Sequence, residues 1–329
     1  MYEVIRGQEI AVARLRAACR NGRIAHAYLF TGPAGVGKYA AARGFAAALL
    51  CCTGAHEGDA CRECFSCRLF QSGNHPDYHV LASEGAAIGI EKIRRVTFTL
   101  GQKPHHRRHV VVIDQAEKVT VEGQNAFLKT LEDPPGGAVL ILVTAHPKLL
   151  LPTVVSRCCE IRFRRLHPGI VVEELVQRHG VPPDEAKILA VLSGGSIGRA
   201  LELRRPEMMA LREKVLRCAL APALREVQGS AVYNKTEVEE WLAFFNLWYR
   251  DLLLYRITGD SGPVVNTDRL AELKEARLSR TGLVEALEAV EAARRMLRAN
   301  VNPRLVLEGL VVRLGSIMRS QKPDARSRN

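Results

Sequence analysis

The stretch Gly32, Pro33, Ala34, Gly35, Val36, Gly37 and Lys38 limits this chain more than any other. The spacing Gly-x-x-x-x-Gly-Lys lets successive backbone N–H groups curl around phosphate oxygens, while the lysine supplies a point charge and the following helix its N-terminal dipole. Such a loop needs a strand before it and a helix after it, and both are present. Ala27 to Phe30 reads as a short strand and Tyr39 to Leu50 as an alanine-rich helix, with an opening helix over Gln8 to Arg20. Further apolar runs from His109 to Asp114 and from Ala138 to Thr144 read as buried parallel strands. Strands alternating with helices predict a wound α/β sheet. After Arg165 the strand signal fades into short helices over 168–203, broken at Gly194-Gly195. Long helical patterns follow, including Val238 to Tyr255 and Leu283 to Ala299, separated by the turn-rich Thr258 to Thr267. The expected division is a nucleotide-binding core over 1–165 with a cysteine insertion at 51–67, a small helical lid over 166–205, and an all-helical domain over 206–329. The polar, basic tail from Gln321 to Asn329 is expected to be disordered.

A length of 329 residues, 47% of them hydrophobic, is enough for several domains with sizeable cores. No apolar run reaches the roughly 20 residues of a membrane span, and the N-terminus lacks the apolar region of a signal peptide. The expectation is a cytoplasmic protein with no membrane partner. A net charge of +12 favours a polyanionic partner, because lysine and arginine displace counterions from phosphates. The odd count of nine cysteines, with no export signal, reads as thiols or metal ligands rather than disulfides.

Around the phosphate loop, two positions depart from hydrolytic chemistry. The residue after Lys38 is normally a serine or threonine whose hydroxyl coordinates Mg²⁺; here it is Tyr39, whose rigid ring cannot place a hydroxyl there. ATP or ADP can still be held through the backbone, but Mg²⁺ positioning should suffer. Asp114 closes an apolar strand where a Mg²⁺-holding carboxylate is expected. A glutamate commonly follows it and polarises the attacking water; Gln115 cannot accept a proton. Arg157, in the run Leu151 to Cys158, and Arg199, after Gly195-Ser-Ile-Gly198, are candidate phosphate or nucleotide ligands.

Cys61, Cys64 and Cys67, preceded by Cys51 and Cys52, offer the four thiolates that tetrahedral structural zinc requires. Such a set leaves no open position for a catalytic water, so the role is structural. Spacing leaves both Cys51 and Cys52 open as the fourth ligand. Cys19 and Cys218 sit on helical apolar faces and read as small core residues.

Taken together, His26 to Lys38, the cysteine insertion, Asn125-Ala-Phe-Leu-Lys-Thr-Leu-Glu-Asp-Pro-Pro135 and Ser156-Arg-Cys158 resemble the AAA+ clamp-loader family over roughly residues 5–205. His75-Pro-Asp-Tyr-His79, Asp114-Gln-Ala-Glu-Lys118 and Ala299-Asn-Val-Asn-Pro-Arg304 narrow the likeness to one subunit type of bacterial DNA polymerase III. The resemblance implies an ATPase-like core, a lid and a helical collar in a ring-shaped assembly that loads the sliding clamp onto primed DNA, alongside gamma/tau-type and delta-type subunits. It further implies that Arg157 is an arginine finger in a neighbour's ATP site, that Thr144 stands where the γ-phosphate is sensed, and that Cys51 is the fourth zinc ligand. The hydrolysing gamma/tau subunits normally carry threonine after the lysine and an Asp-Glu pair on the second strand, from which Tyr39 and Gln115 depart. The implied subunit therefore has little or no ATPase of its own, with a gamma/tau-type motor as the alternative.

Overall fold

The computed structural model describes residues 5–53, 58–83, 87–228, 234–276 and 278–320. The expected disordered tail, 321–329, lies outside them. The elements run α1 (Glu9–Arg20), β1 (Ala27–Thr31), α2 (Lys38–Leu50), α3 (Phe65–Gln71), β2 (Tyr78–Leu81), α4 (Ile90–Leu100), β3 (Val110–Ile113), α5 (Val121–Glu132), β4 (Val139–Thr144), α6 (Pro152–Val155), β5 (Cys159–Arg162), α7 (Pro168–His179), α8 (Pro183–Leu192) and α9 (Ile197–Leu203). Helices alone follow: α10 (Pro206–Leu220), α11 (Arg225–Gln228), α12 (Lys235–Thr258), α13 (Leu270–Glu275), α14 (Arg280–Arg298) and α15 (Pro303–Ser320). The chain divides into one unit of residues 1–179 and 193–201 and another of 180–192 and 202–329.

In the first unit a parallel five-stranded sheet has the order β2-β3-β4-β1-β5, so the strand that feeds the phosphate loop lies inside it. Ala27 to Thr31 pair with Leu140 to Thr144 on one side, and Tyr28 to Thr31 with Cys159 to Arg162 on the other. Strand side chains alternate between two faces. Tyr28, Phe30, Val110, Val112, Ile141 and Val143 pack with Leu15, Ala42, Phe45 and Ala46 of α1 and α2. Ala27, Leu29, Val111, Ile113, Leu140 and Leu142 pack with Ile93, Leu100, Phe127 and Leu131 of α4 and α5. Covering both faces is what makes these strands read as unbroken apolar runs. This is the wound parallel sheet expected from the sequence.

Two strands were absent from that expectation. β2 and β5 are the sheet edges, and their sequences, Tyr-His-Val-Leu and Cys-Glu-Ile-Arg, are partly exposed and carry polar side chains. A buried carboxylate anchors the β2 edge. Asp77 accepts the backbone N–H groups of His105 and His106, both at 2.8 Å, tying the entry of β2 to the loop before β3. Burial opposes ionisation of Asp77, but those two N–H groups outweigh it and hold its carboxyl below the usual range.

The second unit is entirely helical among its described residues. α12 begins with a reciprocal capping box between Asn234 and Glu237 and buries Trp241, Phe245, Trp248 and Tyr249. Its buried Asp251 accepts the N–H groups of Val265 (3.0 Å) and Asn266 (2.8 Å) and the Asn266 side chain (2.8 Å). Arg212 of α10 then donates to the Asn266 side-chain oxygen Oδ1 and to Asp268. This network fixes the turn-rich interruption seen in the sequence.

Candidate nucleotide cradle and metal centre

The phosphate loop connects the end of β1 to the first turn of α2. Gly32 has φ +140°, and a Cβ there would lie 2.3 Å from the Phe163 carbonyl oxygen. Gly35 has φ +69°, and a Cβ there would meet Ser196 Oγ at 2.3 Å. Only glycine fits either place. Behind Gly35 stands the start of α9: the Gly198 N–H donates to the Gly35 carbonyl at 3.0 Å, and a Cβ on Gly198 would meet the Gly35 Cα at 2.9 Å. Back-to-back glycines thus bring the first turn of α9, and Arg199 in it, against the loop. Lys38 is buried within the turn, its Nζ donating to the carbonyls of Gly32 (2.6 Å) and Pro33 (2.5 Å). Burial lowers its pKa, and the carboxylates of Glu117 and Asp114 push the other way.

Tyr39 follows Lys38 on α2, partly exposed and beside Tyr78 of β2. Asp114 lies one residue beyond β3, where burial first, and then the nearby Glu117, raise its pKa. Gln115 has a left-handed backbone, φ +51°, and is exposed. Thr144 ends β4, paired with Thr31, and its Oγ1 accepts the His146 N–H at 3.0 Å.

In the insertion, the sulfurs of Cys51, Cys61, Cys64 and Cys67 lie within 4.8 Å of one another. Cys51 Sγ and Cys64 Sγ are 4.0 Å apart, and Cys61 Sγ and Cys67 Sγ 3.8 Å. Tetrahedral zinc with Zn–S bonds of about 2.3 Å requires S···S edges of about 3.8 Å. The four thiols therefore fit such an ion. Cys52 is exposed and outside the group. The backbone N–H groups of Cys64 and Cys67 point at the sulfurs of Cys61 and Cys64, each at 3.4 Å. Burial opposes the Cys64 thiolate, but hydrogen bonds from Cys67 and Cys52 prevail and bring its pKa down to about 5.

Arg157 stands just beyond α6, remote in sequence from the loop. Its Nε and Nη2 both meet Glu132 Oε1, at 2.8 and 2.5 Å, and its Nη1 donates to the Thr153 carbonyl at 2.9 Å.

A family model described as DNA polymerase III, delta subunit, matches residues 7–167. Over 309 residues the chain is 31% identical to DNA polymerase III subunit delta' of Bacillus subtilis, covering 89% of this chain and 91% of that protein. The chain belongs to the DNA polymerase III delta' family. Its likeness to the delta' subunit of Pseudomonas aeruginosa is 33% identity over 305 residues, covering 89% of this chain and 92% of that one. Similarity to the gamma/tau subunit of Mycobacterium tuberculosis is 29% identity over 346 residues, covering 94% of this chain and 60% of that longer protein. The clamp-loader resemblance read from the motifs thus rests on most of the chain, and within it on the delta' branch.

Two residues of this delta' family member's cradle have roles that spacing does not reveal, although one of them, Glu117, lies within the run Asp114 to Lys118. Gln8, buried before α1, donates to the carbonyls of Val36 (3.3 Å) and Arg164 (2.7 Å) and accepts the Arg164 N–H at 3.1 Å, bracing the loop against the chain after β5. Glu117 brings a carboxylate to the side of the cradle where position 115 has none. One of its oxygens accepts the Ala145 N–H at 3.3 Å, and the other is buried without a hydrogen-bond partner. The left-handed turn at Gln115 hides that placement from any reading of spacing.

Proposed function

We propose that this chain is a non-hydrolysing or weakly hydrolysing clamp-loader subunit that helps ATP-driven loading of the sliding clamp onto primed DNA. In this reading Arg157 is an arginine finger in the ATP site of a neighbouring gamma/tau-type subunit, and a delta-type subunit completes the assembly in the cytoplasm. The observation that carries it is the contrast between two places. The chain's own cradle has Tyr39 where a Mg²⁺-binding hydroxyl belongs and Gln115 where a proton acceptor belongs. Arg157, by contrast, is a partly exposed guanidinium with free N–H groups, a form suited to a phosphate outside the molecule. Residues 166–205 and 206–329 are proposed as lid and collar. The thiols of Cys51, Cys61, Cys64 and Cys67 are proposed to hold a structural Zn²⁺, and the net charge of +12 suits a DNA-bound assembly.

A second reading, a self-sufficient ATPase, draws on Glu117, whose carboxylate could stand in for the missing base. ATP turnover by the isolated chain separates the two. The expected result is little or no turnover above background. Sustained hydrolysis abolished by both Lys38→Ala and Glu117→Gln would overturn the first reading in favour of the second.

A further inference from the structure

We infer that Glu132 is the positioning residue for Arg157, fixing the plane of its guanidinium before a neighbouring nucleotide meets it. The inference rests on the reading of Arg157 as a donated finger. An arginine at the end of a long, rotatable side chain presents its N–H groups in every direction unless something holds it. Here two structural elements converge on it. Glu132, the last residue of α5, takes Nε and Nη2 on one oxygen at 2.8 and 2.5 Å, and the Thr153 carbonyl of α6 takes Nη1 at 2.9 Å. Both anchors sit on helices packed on the same face of the sheet, where Leu131 and Val154 are buried in one cluster. Three of the five N–H groups are thus engaged, and one on each terminal nitrogen remains for a phosphate oxygen.

Stability does not explain Glu132. Arg157 is partly exposed and Glu132 exposed, with side-chain accessibilities of 34% and 52%, and ion pairs so open to solvent contribute little. An acid in the last turn of a helix also faces the negative end of the helix dipole. What the carboxylate supplies is orientation, and orientation acts on rate because a misplaced group loses much of its effect on the transition state.

The test uses the assembly reconstituted from this chain with gamma/tau-type and delta-type subunits, sliding clamp and primed DNA, reading DNA-stimulated ATP turnover. Glu132→Ala is expected to lower kcat about tenfold with KM for ATP unchanged. Glu132→Gln, which keeps an oxygen acceptor at the same reach, is expected to recover most of that loss. The double variant Glu132→Ala/Arg157→Ala should turn over no more slowly than Arg157→Ala alone. The thermal midpoint of the isolated Glu132→Ala chain should match that of the parent. Unchanged or faster turnover in Glu132→Ala, no recovery in Glu132→Gln, or an additive loss in the double variant would overturn the inference while leaving the finger intact, provided Arg157→Ala itself is slow. If Arg157→Ala turns over normally, the finger reading falls and this inference with it.

Discussion

Gly35 shows how one missing side chain shapes a whole site. The first turn of α9 can approach the phosphate loop because neither Gly35 nor Gly198 has a Cβ, and that approach carries Arg199 to the cradle. Close packing at Gly35 differs measurably from backbone strain alone. Gly73 also has a positive φ, +78°, but a Cβ there would meet nothing within 4 Å. Gly73→Ala should therefore cost only the left-handed backbone penalty, about 1–2 kcal/mol. Gly35→Ala carries the same penalty plus a clash with Ser196 Oγ and the backbone of α9, adding about 1–3 kcal/mol. Denaturant unfolding of the two variants reads the difference directly. Equal losses would mean that α9 is not seated on the loop as described.

At the scale of elements, the cysteine insertion joins the core through Cys51, Ala60, Cys67 and Phe70, and its short helix is also tied to the thiol cluster. α3 is a helix of 7 residues whose N-cap is Cys64, with its sulfur accepting the Cys67 N–H. A proposed zinc ligand is therefore also the helix cap, and removing the metal should fray α3 together with the site. Elemental analysis of freshly purified protein should find about one zinc per chain, and a strong chelator should lower the thermal midpoint and the helical signal together. No metal in the purified protein, with an unchanged midpoint after chelation, would remove the site. β1, β3 and β4 were legible in the sequence because burial on both faces keeps their runs apolar up to a closing Thr31 or Thr144 in β1 and β4, and the P-loop marked the join of β1 and α2. β2 and β5 were not, since an edge strand mixes Tyr78, His79, Glu160 and Arg162 with apolar neighbours and breaks the pattern. Cys61, Cys64 and Cys67 were legible because their chemistry constrains their spacing, whereas spacing left Cys51 and Cys52 equally open as the fourth thiol. The roles of Gln8, Glu117 and Glu132 were not legible, although the last two lie within motif runs, because each acts through contacts set by chain reversals, such as the left-handed turn at Gln115, that leave no periodic trace.

For the molecule as a whole, membership of the delta' family and the altered residues of the cradle point to a division of labour. The cradle retains its glycines and Lys38, while the catalytic positions after Lys38 and Asp114 hold Tyr39 and Gln115. We propose that a chain built this way contributes to hydrolysis through what it presents to a neighbour, with Arg157 as the group presented. The most direct measurement is DNA-stimulated ATP turnover by the reconstituted clamp-loader assembly, comparing Arg157→Ala with Lys38→Ala in this chain alone. Loss of an arginine finger lowers the rate at its site by about 10³-fold or more. The account predicts a marked fall in turnover with Arg157→Ala and normal turnover with Lys38→Ala. The reverse pattern, a normal rate with Arg157→Ala and a fall with Lys38→Ala, would contradict it.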